Sequence, residues 1–118
     1  MIEISMKSLG KENGKMKLWI DDVRPAPDGY IWIKSVDAAI NEILFTDVLR
    51  MDDENVEIEI IDIDHDAGDY ASQGGDYVRL LDWLEETGRN YPIHIHSMNP
   101  VGVQNMRAII QCNGWKEV

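Results

Sequence analysis

Three short clusters in the sequence carry residue types whose spacing could support chemistry. Asp21-Asp22 ends the apolar run KLWIDD, Asp64-His65-Asp66 closes VEIEIIDIDHD, and PIHIHS brings His96 and Ser97 just ahead of Asn99. Asp21, Asp22, Asp64 and Asp66, if brought within a few ångströms, would repel one another unless a proton or a cation intervened. An all-oxygen set of this kind suits Mg²⁺ or Mn²⁺, which takes one or two carboxylates and keeps positions for water and a substrate phosphate. The competing reading of any single aspartate is a turn cap or a solvated face; a pair at one strand end and an Asp-His-Asp at another favour the metal.

His65 and His96 lie among these acids. An acidic neighbourhood favours imidazolium, the form that can protonate a departing alkoxide. The plainer alternative for each is a histidine satisfied by a backbone carbonyl. His94, two residues earlier on the same strand face as His96, sits about 7 Å deeper and reads as structural. Ser97, Asn99 and the N-terminus of the helix that follows offer donors for an anionic group, and Asn99 also reads as a plain N-cap. Arg24 is the base nearest these clusters in sequence, placed to clamp a phosphate oxygen or to pair with an aspartate. Cys112 has no neighbouring base and does not read as a nucleophile. No P-loop, GxGxxG, CxxC or serine elbow is present.

These residues need elements to bring them together. Residues 17–22 and 30–35 read as strands, joined by a Pro- and Gly-containing loop, VRPAPDG. Ser35 suits an N-cap for a helix over 36–50, with Val36, Ala39, Ile40, Ile43, Leu44 and Val48 on its inner face. A third strand covers 56–66. After a Gly-rich loop, Asp76 is placed to cap a helix that buries Tyr77, Leu80, Leu81 and Leu84. Strand 92–97 then leads through Asn99-Pro100 into a helix ending near Cys112, and WKEV reads as a last strand. Trp32 and Trp83 fit core positions, and Trp19 a place under the site.

The pattern β-β-α-β-α-β-α-β predicts an α/β fold with a mostly parallel, five-stranded sheet and helices on both faces, a three-layer sandwich. Ligands of such sheets bind beyond the carboxyl ends of the strands, and there all three clusters converge. Residues 1–16 read as an arm or an added strand, and 17–118 as the domain.

Composition narrows the function. With 118 residues the chain is one domain, long enough for a core without disulfides. One cysteine and no long apolar run predict a soluble, cytoplasmic protein without a membrane partner. Twenty-two acids against eleven bases give −11, which disfavours broad binding to nucleic-acid backbones. Between Asp47 and Asp69 there are ten acids and one base, Arg50.

The segments LWIDDVRPAP, IDIDHDAG and IHIHSMNPVG, in this order, resemble the cyclic-phosphate-processing receiver-like domains, a divergent branch of the response-regulator receiver fold. The resemblance runs over about residues 17–118. It implies a flavodoxin- or receiver-like sandwich in which Asp21 and Asp22 form the metal-binding pair, Asp64 holds the phosphoacceptor position and Ser97 the phosphate-contacting hydroxyl. The chain departs from ordinary receivers in lacking their first and last helices and a clear counterpart of the lysine after strand five, since Lys116 lies inside the final segment. His65, Asp66, His96 and Asn99 are additions.

The leading expectation is a metal-dependent phosphoesterase. Its ligand is a small cyclic phosphate, either a cyclic nucleotide or a 2′,3′-cyclic end such as that of an RNA. In it Asp21, Asp22, Asp64 and Asp66 hold Mg²⁺ or Mn²⁺, Asp64, His65 and His96 are catalytic, and Arg24, Ser97 and Asn99 bind phosphate. The alternatives are a binding module for a nucleotide or partner protein without chemistry, and a phosphoacceptor receiver with Asp64 as its site.

Overall fold

The computed structural model describes residues 14–118. Strand β1 (Lys15–Ile20) lies at the centre, with β2 (Tyr30–Ile33) on one side and β3 (Glu57–Ile63) then β4 (Ile93–Ile95) on the other. The order is β2-β1-β3-β4 and every pair is parallel. Helix α1 (Val36–Asp52) links β2 to β3, α2 (Val78–Glu86) links β3 to β4, and α3 (Pro100–Cys112) follows β4. The alternation of patterns predicts this parallel α/β arrangement, and the resemblance implies its receiver-like form.

The sheet has four strands, not five. WKEV contributes a single bridge, Ile93 with Glu117, in which the Val118 amide donates to the Ile93 carbonyl. Trp115 is buried in the core and turns the chain toward β4, so only the last residues reach its edge. Lys15 and Met16 belong to β1 and pair with Glu57 and Ile58; the rest of the expected arm, residues 1–13, lies outside the described residues.

Layering also differs from the expected sandwich. Along β1, Met16, Leu18 and Ile20 are fully buried, while Lys17 and Trp19 are only half-buried. The β2–β3 and β3–β4 connections step in the same direction across the sheet, and right-handed crossovers therefore lay α1 and α2 on the same face. Helix α3 packs beside α2. One core results: Leu18, Ile20, Ile33, Ile61, Ile63 and Ile93 meet Val36, Ala39, Ile43, Leu80, Leu81, Leu84, Met106 and Ile110. Each fully buried aliphatic side chain there contributes about 1.5–3 kcal/mol. The opposite face, with Lys17, Trp19, Tyr30 and Trp32, has no helix over it among the described residues. Trp32 is accordingly 38% exposed rather than in the core, and Trp83 is half-buried.

Caps explain the helix ends. Ser35 Oγ accepts from the Ala38 amide, and Asn99 Oδ1 from the Gly102 amide with Pro100 in the first turn. Asp76 does not cap α2: its Oδ1 takes the Ala67 amide at 3.1 Å, bracing the loop after β3. The inner stripe of α1 is Val36, Ala39, Ile43 and Thr46, whereas Leu44 and Val48 face outward. No helix among the described residues is long and apolar enough to cross a membrane.

Candidate metal and phosphate site

Parallel pairing puts the ends of β1, β3 and β4 side by side, so the residues just past them share one rim. Asp21, Asp22 and Asp64 each present a carboxylate oxygen there, all within 4.8 Å of one another. The Asp64 amide is anchored to the Ile20 carbonyl and the His96 amide to the Ile63 carbonyl, which extends the strand register to the site itself. Asp22 packs against Gly68, where a Cβ would approach its Oδ2 to 2.3 Å. Burial and the neighbouring charges of Asp21, Asp64 and Asp69 push the Asp22 carboxyl up. Three hard oxygen donors whose mutual repulsion a cation would relieve could hold a metal ion.

Asp21 is almost fully buried. Its Oδ1 accepts from the Val23 and Arg24 amides, both at 2.9 Å, and its Oδ2 meets His96 Nε2 at 2.9 Å. Burial alone would raise this carboxyl; the two amides and His96 outweigh it and hold it below the usual range. The other ring nitrogen of His96, Nδ1, faces Asp62 Oδ1 at 2.5 Å. Two carboxylates on the two nitrogens call for two N–H donors, hence imidazolium. Burial opposes that charge, yet the Asp62 and Asp21 hydrogen bonds prevail and raise the pKa. Trp19 stacks on the ring, centroids 3.8 Å apart and planes 4° from parallel.

His96 therefore has only 9% of its side chain exposed, and both its ring nitrogens are engaged by carboxylates. Asp62 escapes the strand-end reading because it sits inside β3, where a buried acid flanked by isoleucines was the available signal.

Asp66 stands apart from the three-aspartate group. The chain leaves extended conformation after Ile63 and bends at His65, so Asp64 and Asp66 lose the common face they would share in a strand. Asp66 Oδ1 instead meets His65 Nδ1 at 2.8 Å. The His65 ring lies against α3, where a Cβ on Gly102 would come within 2.4 Å of it. Its side chain is 16% exposed, and its Nε2 has no protein partner among the described residues.

Ser97 Oγ accepts from the Asn99 amide at 3.1 Å, leaving its hydroxyl proton free to donate. Asn99 Nδ2 is 3.5 Å from His65 Nδ1. Arg24 Nη1 donates to the His96 carbonyl at 3.1 Å, which ties the loop after β1 to the end of β4. His94 Nδ1 lies 2.6 Å from the Val118 carbonyl, away from the rim.

A family model described as the cyclic-phosphate processing receiver domain matches residues 16–112. The chain belongs to this family. Neither a curated protein nor a solved structure matches it. The matched span of this receiver domain holds all three rim clusters and ends with α3.

Proposed function

We propose that this receiver domain opens a cyclic phosphate, with a divalent Mg²⁺ or Mn²⁺ ion at Asp21, Asp22 and Asp64. The observation that carries the reading is the three-aspartate group at the rim of a chain whose family is cyclic-phosphate processing. When bound, the ion supplies charge neutralisation and orientation of the phosphoryl group.

The remaining work falls to the chain's own residues. Asp22 and Asp64 are the freer ligands, since Asp21 already accepts three hydrogen bonds. His96 and Asp62 hold Asp21 in place, so His96 acts as a positioning residue. His65 is the general acid: as a water attacks phosphorus and the ring P–O bond to a ribose oxygen breaks, His65, its Nδ1 fixed by Asp66, gives that leaving oxygen a proton from Nε2, which has no protein partner among the described residues. The Ser97 hydroxyl and the Asn99 amide group donate to non-bridging oxygens. The ligand is a small nucleoside cyclic phosphate or the 2′,3′-cyclic end of an RNA.

The test is hydrolysis of 2′,3′-cyclic nucleotides by wild type and His65→Ala protein with Mn²⁺ present. His65→Ala should lose about 10²–10⁴-fold in turnover with ligand affinity kept. Unchanged turnover would remove His65 from the mechanism.

A further inference from the structure

The rim gathers acid far in excess of base. Asp21, Asp22 and Asp64 meet there with the charge of Asp69 nearby, and one divalent ion leaves the three-aspartate group with a residual negative charge that repels a phosphate anion. Arg24 is the base nearest in sequence, and its guanidinium is engaged by the His96 carbonyl.

Lys34 is placed to answer that imbalance. It follows β2 directly, and its backbone carbonyl accepts the Tyr77 hydroxyl at 2.7 Å. Its ammonium lies 4.4 Å from the centroid of the Trp32 ring and 5.9 Å from that of Tyr70. The Trp32 indole N–H in turn donates to the Asp21 carbonyl at 2.7 Å, and Tyr70 belongs to the loop that leaves Asp64. The ammonium thus lies beside one ring that is hydrogen-bonded to the Asp21 carbonyl and near another in the segment that follows Asp64. Among the described residues it has no carboxylate at ion-pair distance, although the chain carries a net −11. Aromatic rings hold a cation without neutralising it, so its charge stays available.

We propose that Lys34 is the phosphate-binding cation of this site, donating from Nζ to a non-bridging oxygen of a phosphate held at Asp21, Asp22 and Asp64. The proposal rests on the metal reading above, but not on ring opening. Trp32 and Tyr70 are its positioning residues: they restrain the flexible stem before ligand arrives, which lowers the ordering cost of binding.

The experiment loads wild type, Lys34→Met and Lys34→Arg proteins with Mn²⁺, whose affinity is read by electron paramagnetic resonance. Inorganic phosphate is then titrated and its ³¹P line followed for broadening by the bound ion. Lys34→Met should keep the wild-type Mn²⁺ affinity and weaken phosphate binding about tenfold to a hundredfold. Lys34→Arg should return within a few-fold of wild type. Equal phosphate affinity in Lys34→Met overturns the proposal, as does a parallel loss of Mn²⁺ affinity, which would make Lys34 a support of the aspartates. Absence of broadening in wild type overturns it too. Intact cyclic nucleotide in a turnover assay would instead count against the esterase alone.

Discussion

Asp21 sits at the junction of the site's two jobs, offering an oxygen to the rim while its carboxylate is gripped by two amides and an imidazolium. Removing the grip has a defined cost. His96→Ala leaves Asp21 and Asp62 facing each other without the intervening cation, and breaking a buried pair in this way costs about 3 kcal/mol; urea denaturation of the metal-free protein measures it. Asp62→Asn retains shape and one hydrogen bond and should cost less. Both should weaken Mn²⁺ binding without abolishing it, whereas Asp64→Ala should abolish it. The three rim aspartates were legible in the sequence because each stands where an apolar strand stops. The Asp62–His96 bond was not, because it depends on how far β4 is shifted along β3, and register is a tertiary fact.

At the scale of elements, the site depends on how closely α3 approaches the loop after β3. Gly102 permits that approach, since its missing side chain makes room for the His65 ring. Gly102→Ala should destabilise the fold by about 1–3 kcal/mol and displace His65, lowering turnover more than metal affinity; thermal melts and Mn²⁺ titration separate the two effects. The strand and helix order was readable from periodicity and caps, most clearly Ser35 and the Asn99-Pro100 start of α3. The ends were less so. Asp76 has the right type and place for a cap, but the Ala67 amide claims its carboxylate, and a sequence does not rank competing donors. WKEV has strand-forming residues, yet burial of Trp115 leaves too few beyond it for more than a bridge.

Among the described residues the sheet is half-covered: helices bury one face, while Trp19, Tyr30 and Trp32 furnish the other. That layering follows from crossover direction, which the order of elements does not reveal until the strand order is known. Core and rim are joined by Tyr77, fully buried with its hydroxyl on the Lys34 carbonyl. Burial first, then the charges of Asp22, Asp21 and Asp64, push its phenol far above the ordinary value of 10.0. An unfolded tyrosine releases its proton near that value and the folded one does not, so stability should fall as pH rises beyond it. The tyrosinate absorbance of wild type minus Tyr77→Phe should therefore grow in only as the protein unfolds; growth in the folded state would contradict the burial. The most direct test of the central claim is phosphorus NMR of a 2′,3′-cyclic nucleotide incubated with the protein and Mg²⁺, beside an EDTA blank and Asp64→Ala. A ring-opened monoester should form in the first sample alone. A cyclic phosphate left intact in all three would contradict it.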